Sequence, residues 1–222
     1  MKCPKCRKQI NDNINFCPYC QEKINKVASY TPSKQRSANF FSTKRLVVYA
    51  MLTAIAFLIV LTRIFSLPII PVADYLKYDP KDIVLCLGGI LFGPLALIIT
   101  TVAVCFLEMY TVSTTAWFGF FMNFVSTISF AMIPSIICTK TINVKRMIIG
   151  CLLGIILMTD AMCLFNVLFS PYYFGMPRIA IIKMLKPVYI PFNLIKSSIN
   201  SVLTIVLCVS LSHVLERVRK TF

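Results

Sequence analysis

The segment GGILFGPLALI, residues 88–98, lies in the middle of an uncharged run that extends from Ile83 to Leu107. The run is long enough for one membrane-spanning helix, which needs about 20 apolar residues. Gly93 and Pro94 interrupt it, and a proline inside a helix removes a backbone hydrogen bond and clashes with the preceding turn. We therefore predict two half-length helices that fold back on each other at this point, with a single kinked helix as the alternative.

Four further apolar runs flank this segment and indicate that the chain crosses a membrane several times. Only 14% of the residues are charged, whereas an average soluble domain has about 25%. The runs, two of which contain one charge each, are 46–62, 109–139, 147–177 and 187–215. We predict an all-α membrane protein with six transmembrane helices, beginning near residue 44 and ending near residue 213.

Ahead of the first apolar run, residues 3–20 read CPKCRKQINDNINFCPYC and contain two Cys-x2-Cys pairs. Such pairs can place four thiolates around a tetrahedral Zn²⁺ ion, here from Cys3, Cys6, Cys17 and Cys20. A unit of about 24 residues buries too little surface to fold unaided, so a metal would hold it together. We predict a zinc ribbon in residues 1–24, with two disulfides as the alternative. A flexible linker in 25–43 and a membrane domain in 44–222 would follow.

The chain carries a formal net charge of +15. Such a charge can indicate nucleic-acid binding, but no basic and aromatic platform accompanies it. In a membrane protein, basic residues more often lie in cytoplasmic loops beside the anionic inner leaflet. Reduced cysteines also belong on the cytosolic side. With six crossings, we predict that both termini are cytoplasmic and that the protein contacts membrane lipid but no nucleic acid.

Seven polar residues lie inside the predicted spans, where a charge near the bilayer centre costs about 2.5–3.5 kcal/mol. They are Glu108, Asn123, Asp160, Asn166, Asn193, Lys196 and Asn200. Asn193, Lys196 and Asn200 have the spacing i, i+3 and i+7 and therefore share one helix face. An ammonium group beside amides suits a neutral planar ligand with carbonyl and imide edges. An internal ion pair between Lys196 and Asp160 is the alternative.

Two other patterns have local interpretations. Asp79, Pro80 and Asp82 have the arrangement of a helix start, with a capping aspartate, a first-turn proline and a negative charge near the helix dipole. We predict helix-start roles for both aspartates. Ala50 and Ala54 are four residues apart in the first span, which permits close approach of another helix in lipid, although alanine is also common in helices generally.

Signatures of catalysis are missing from the sequence. There is no GxxxxGK loop for ATP and no HExxH motif for a catalytic zinc ion. The single histidine, His213, lies near the end of the last span, and the six cysteines after residue 24 lack a metal-binding spacing. We therefore predict that the protein is not an enzyme.

Five short motifs resemble the substrate-binding S components of energy-coupling factor (ECF) transporters, in the same order along the chain. They are YLKYDPKDI (75–83), GGILFGPLALI (88–98), MNF (122–124), FN (165–166) and PFNLIK (191–196). The first and the last are most similar to the riboflavin-specific type. The resemblance covers about residues 44–215, so the predicted zinc ribbon would be an addition to the S-component core.

The resemblance implies a bacterial cell-membrane protein that captures riboflavin outside the cell and does no chemistry itself. A transmembrane coupling subunit, docked on Ala50 and Ala54, and two ATP-binding subunits would supply the energy for uptake. The residues that the resemblance assigns to riboflavin are Tyr75, Leu76, Tyr78, Asn123, Asn166, Asn193 and Lys196. The alternatives are an S component for another vitamin, or a membrane sensor or scaffold that works through its zinc ribbon.

Overall fold

A computed structural model of the chain describes residues 6, 8, 9, 19, 20, 42–62, 76–139 and 143–221. For residues 213, 216 and 219–221 it describes the backbone only. The chain separates into two units, Met1–Phe40 and Phe41–Phe222. Cys3 and Cys17 lie outside the described residues, as does most of the predicted linker. The zinc ribbon and its boundaries therefore stay predictions.

The described part of the second unit is helical. Its α-helices are α1 (Thr43–Thr62), α2 (Lys81–Phe92), α3 (Pro94–Thr111), α4 (Ala116–Cys138), α5 (Val144–Phe174), α6 (Arg178–Met184), α7 (Ile190–Ser210) and α8 (Ser212–Thr221). A π-helical segment, Leu185–Tyr189, joins α6 to α7. It contains Pro187, and prolines and π-bulges are common causes of helix irregularity. The sequence patterns did not predict α6, the π-helical segment or α8.

The helix break at Gly93 is confirmed. α2 ends at Phe92 and α3 begins at Pro94, with Gly93 at φ 95° and ψ 174°. This positive φ favours glycine, because a side chain would be strained there. Pro94 occupies the first turn of α3, where its missing N–H leaves no intrahelical hydrogen bond unmade. The two residues therefore end one helix and begin the next.

Five helical segments among the described residues are long and apolar enough to cross a membrane. They are Thr43–Thr62, Pro94–Thr111, Ala116–Cys138, Val144–Phe174 and Arg178–Ser210. α2 has 12 residues, which is about 18 Å at the helical rise and shorter than a hydrocarbon core of about 30 Å. The all-α membrane fold is thus confirmed. Of the two predicted half-length helices, α2 is half-length, whereas α3 has 18 residues and is one of the five segments long enough to span.

α4 and α5 pack closely in the bundle. A Cβ atom built on Gly150 would lie 2.9 Å from the Cα atom of Pro134, and one built on Gly154 would overlap the backbone oxygen of Phe130. Small residues of this kind let helix backbones approach in lipid, where packing drives association. This contact positions Asn123 on α4 and Asn166 on α5 within the same bundle.

Candidate functional site

A cavity of about 410 Å³ lies within the helical unit. Its volume is in the range of small-molecule sites, about 300–1,000 Å³. The lining comes from α1, α3, α4, α5 and α7 and from the segments before α2 and before α4. The lining residues are Val60, Leu76, Lys77, Asp79, Glu108, Val112, Ser113, Thr114, Thr115, Phe118, Gly119, Met122, Asn123, Ser126, Met162, Asn166, Phe174, Phe192, Asn193 and Lys196.

Five of the seven residues that the sequence assigned to ligand binding line this cavity. They are Leu76, Asn123, Asn166, Asn193 and Lys196. Tyr78 is buried but is not among the lining residues, and Tyr75 lies outside the described residues. The structure therefore brings together side chains from four separate parts of the chain, and their role toward a ligand stays a prediction.

Asn193 has an open hydrogen-bond acceptor at the cavity. Its Nδ2 atom donates to the backbone oxygen of Tyr189 at 2.8 Å, which fixes the amide against the end of the π-helical segment. Its Oδ1 atom is buried and has no hydrogen-bond partner among the described residues. A buried polar atom without a partner is costly, and such atoms in a cavity wall are natural contacts for a ligand. A donor on the ligand would satisfy this oxygen.

Lys196 pairs with Asp82, and not with Asp160 as the alternative interpretation held. Its Nζ atom lies 3.2 Å from Asp82 Oδ2, and both side chains are buried. Asp160 is exposed on the outer face of α5. The ammonium group of Lys196 therefore has a counter-charge behind it while it lines the cavity.

Asp82 lies in the first turn of α2, as predicted, whereas the predicted cap by Asp79 is wrong. The Asp82 carboxylate has a further role inside the bundle. It is fully buried and accepts hydrogen bonds from Thr127 Oγ1 at 2.6 Å and from Asn200 Nδ2 at 3.3 Å. The N-cap of α2 is Pro80, without a side-chain capping bond. The first turn of α2 lies inside the bundle against α4 and α7. The carboxylate of Asp82 therefore stabilises buried hydrogen-bond donors on those two helices.

Lys81 and Glu108 form a second buried ion pair. Lys81 is 1% exposed, and its Nζ atom lies 2.5 Å from Glu108 Oε2. Asn123 Nδ2 donates to the same oxygen at 3.0 Å. Glu108 lines the cavity, and the pair therefore places a neutralised carboxylate in its wall. The sequence analysis did not single out Lys81 and therefore missed this pair.

Tyr78 connects the segment before α2 to the buried polar residues. Its hydroxyl donates to Asn200 Oδ1 at 2.8 Å. Burial, with the nearby Asp82 and Asp79 carboxylates, raises the pKa of Tyr78 to about 12. The phenol therefore keeps its proton at neutral pH and remains a donor. Through Asn200 and Asp82 it is linked to Lys196 at the cavity.

Asn166 is held by its own helix. Its Nδ2 atom donates to Met162 O at 2.7 Å, and its Oδ1 atom accepts from Ser170 Oγ at 2.9 Å. The oxygen has a second lone pair and the nitrogen a second hydrogen, so both atoms can also bond to a ligand. The amide is thus pre-oriented in the cavity wall.

Aromatic side chains form much of the apolar wall. Phe118, Phe174 and Phe192 line the cavity. Phe118 also stacks on Tyr173, with ring centroids 4.4 Å apart and an interplanar angle of 7°. Flat apolar walls with a few fixed polar groups suit a planar organic ligand. Among the described residues, no group of three His, Cys, Asp or Glu side chains could hold a metal ion.

The fold is that of a helical membrane protein, and its cavity has the size of a small-molecule site. Residues 44–208 match the family described as "ECF transporter, substrate-specific component". The match covers most of the chain, and the chain belongs to this family. The predicted transporter class is therefore confirmed.

Similar proteins support the same conclusion. The chain is 32% identical over 192 residues to "Riboflavin transporter RibU" of Staphylococcus aureus, covering 83% of this chain and 98% of that protein. It is 31% identical over 175 residues to a protein of the same name from Streptococcus thermophilus, covering 74% and 82%. "Riboflavin transporter FmnP" of Bacillus subtilis is 29% identical over 185 residues, covering 79% and 96%.

A solved structure has the same fold. It is described as "Structure and mechanism of the S component of a bacterial ECF transporter" and superposes with a TM-score of 0.65 at 31% identity. The superposition covers 78% of this chain and 97% of that one. The part of the present chain beyond this common core includes the cysteine-containing N-terminal segment, since the family match begins at residue 44.

Proposed function

We propose that this S component captures riboflavin on the outer side of a bacterial cell membrane for ATP-driven uptake. The observation that carries the proposal is the unsatisfied Oδ1 atom of Asn193 beside the Lys196 ammonium group, in a cavity with aromatic walls. The names of the similar proteins support the same ligand. The chain itself would do no chemistry, because ATP hydrolysis belongs to partner subunits.

The chemistry of riboflavin matches the polar groups of the cavity. The pyrimidine edge of its ring system has an imide N–H donor between two carbonyl acceptors. Asn193 Oδ1 can accept from the imide, and Lys196 can donate to a carbonyl or ring nitrogen. Phe118 and Phe192 provide apolar surface for the ring faces. The ribityl hydroxyls can bond to the amides of Asn123 and Asn166.

The first experiment is purification of the full chain from membranes, followed by titration with riboflavin. We expect yellow protein, or colourless protein that quenches riboflavin fluorescence on binding. Asn193→Ala is expected to weaken binding by about 1–3 kcal/mol, because the imide loses its acceptor. Asn143→Ala is the matched control, since Asn143 is an exposed capping residue at the start of α5.

Two outcomes would contradict the proposal. Colourless protein that does not quench riboflavin fluorescence would remove riboflavin as the ligand and would leave an S component for another vitamin. Equal riboflavin affinity of the Asn193 and Asn143 variants would remove Asn193 from the site.

The family suggests an assembly and an orientation for this chain. We infer that a transmembrane coupling subunit and two ATP-binding subunits bind this chain, with Ala50 and Ala54 on the coupling surface. Both alanines are exposed on α1. We further infer that both termini are cytoplasmic, with the cavity open toward the outer side. Leu76 in the segment before α2, together with Tyr75 and Tyr78, would close over bound ligand.

We also propose that residues 1–24 form a structural zinc ribbon. Two Cys-x2-Cys pairs at this spacing are typical of zinc sites. The metal would stabilise the ribbon and would have no role in riboflavin binding. Purified protein is expected to contain about one zinc ion per chain by elemental analysis. Cys3→Ser with Cys6→Ser should remove the zinc and leave riboflavin affinity unchanged; zinc-free wild-type protein would contradict the ribbon.

A further inference from the structure

We propose that Glu108 makes the cavity selective for an uncharged ligand and excludes the phosphate ester of that ligand. The proposal rests on the proposed function, because it takes riboflavin as the bound ligand and riboflavin 5′-phosphate as the excluded one. It concerns a carboxylate that none of the binding predictions used.

The charged side chains at the cavity balance. Six of them line it or lie directly behind its wall: Lys77, Asp79, Lys81, Asp82, Glu108 and Lys196. Three ammonium groups and three carboxylates sum to zero. Lys77 is exposed, and the four buried side chains, two ammonium groups and two carboxylates, also balance. A neutral ligand therefore leaves no net buried charge at this site.

Both buried ammonium groups in this set already contact a carboxylate. Lys81 Nζ lies 2.5 Å from Glu108 Oε2, and Lys196 Nζ lies 3.2 Å from Asp82 Oδ2. A phosphate monoester carries a charge of about −1.5 to −2 at pH 7. Inside the cavity the phosphate group would lose its hydration shell and would need cations in its place. The ammonium groups of Lys81 and Lys196 could pair with it only in competition with Glu108 and Asp82.

Glu108 is the buried carboxylate that lies in the cavity wall itself. It is 4% exposed, and Asn123 holds it from the α4 side. The next lining residues along the chain include Ser113, Thr114 and Thr115. The carboxylate can accept hydrogen bonds from the hydroxyls of a polyol, and the serine and threonine hydroxyls can both donate to them and accept from them. A phosphate group at that position would meet a carboxylate that already occupies the Lys81 ammonium group, in place of a free cation.

The test compares the dissociation constants of riboflavin and riboflavin 5′-phosphate in the wild type and in Glu108→Gln. The substitution keeps the shape and leaves Lys81 as a cation without its counter-charge. In Glu108→Gln we expect the dissociation constant of riboflavin 5′-phosphate, divided by that of riboflavin, to fall by about tenfold or more. This is the size of effect expected when the phosphate and the freed Lys81 ammonium group lie several ångströms apart in a protein interior. Glu216→Gln, in α8, makes the same change of net charge and should leave the ratio unaltered.

A second measurement uses the wild type alone and holds even if the variant fails to fold. The second ionisation of a phosphate monoester has a pKa of about 6, so its charge roughly doubles between pH 5 and pH 7.5. Exclusion by charge predicts that the phosphate binds several-fold more weakly at pH 7.5 than at pH 5. Riboflavin, measured in parallel, is the reference for any titration of the protein itself.

The outcomes separate this proposal from the proposed function. Protein that binds neither flavin refutes the proposed function. Protein that binds riboflavin but shows the same ratio in the wild type and in Glu108→Gln refutes the role of Glu108. A phosphate affinity that does not change with pH in the wild type also refutes exclusion by charge.

Discussion

Asp82→Ala is expected to lower the free energy of unfolding by about 3–5 kcal/mol, the typical cost of removing one partner from a buried ion pair. Lys196 would lose its counter-charge, and Thr127 and Asn200 would lose their acceptor. All three donors are buried, so water cannot easily replace the carboxylate. The measurement is an unfolding titration of purified protein in mixed detergent micelles, followed by circular dichroism.

Asp160→Ala is the matched control for this prediction. It also removes one aspartate from a membrane helix, but Asp160 is exposed, so no buried cation or donor loses its acceptor and the loss of stability should be far smaller than for Asp82→Ala. The double variant Asp82→Ala with Lys196→Met should recover more than half of the loss, because no unpaired charge remains. Equal destabilisation by the two aspartate variants would show that the Asp82 network contributes little.

The positions of the helices could largely be read from the sequence because they depend on local composition. Long uncharged runs can satisfy their backbone in lipid only as helices. Gly93 and Pro94 then end one helix and begin the next for reasons confined to two residues. The sequence was less informative after Ser170. There, α5 continues through Pro171 to Phe174, and Pro187 lies within a π-helical segment.

The partner of each buried charge could not be read in the same way. A helix-start pattern at Asp79, Pro80 and Asp82 is the same whether the first turn faces water or the inside of a bundle. Only the packing of α2 against α4 and α7 turns Asp82 toward Thr127 and Asn200. Asp160 is the converse case, since it lies in an apolar run and yet is exposed.

One signal in the sequence pointed toward two ion pairs. Lys81 and Asp82 are adjacent at the start of α2. Glu108, which is opposite in charge to Lys81, and Lys196, which is opposite in charge to Asp82, each interrupt an apolar stretch of the sequence. Because unpaired charges are costly in a membrane, pairing across helices is the expected solution. The residues of α7 were easier to identify, because their spacing alone places Asn193, Lys196 and Asn200 on one face.

The exposed face of α1 is the surface at which we expect a single substitution to cause a large loss of riboflavin uptake. α1 is the least buried of the five long apolar segments, and it contacts α2 and α3. Ala50 and Ala54 are both exposed on it, one helical turn apart. Small residues with this spacing allow a second helix to approach its backbone closely. We propose that the coupling subunit uses this face.

Ala54→Trp is therefore expected to reduce riboflavin uptake strongly while riboflavin binding is retained. The indole ring would point outward from α1, where it meets lipid in the isolated chain, but it would hold a partner helix away from the alanine face. Uptake of labelled riboflavin by cells that contain the coupling module should fall by at least about tenfold, which corresponds to a loss of about 1.4 kcal/mol of association free energy. Fluorescence titration of the purified variant should give the affinity of the wild type.

Leu153→Trp is the control for the bulk of the indole ring. Leu153 is 45% exposed on α5, away from the proposed coupling face, so uptake should stay close to that of the wild type. Retained uptake in Ala54→Trp would exclude the alanine face as the docking surface. Loss of binding together with uptake would mean that the substitution disturbs the cavity, because only a docking defect leaves ligand capture intact while it removes transport.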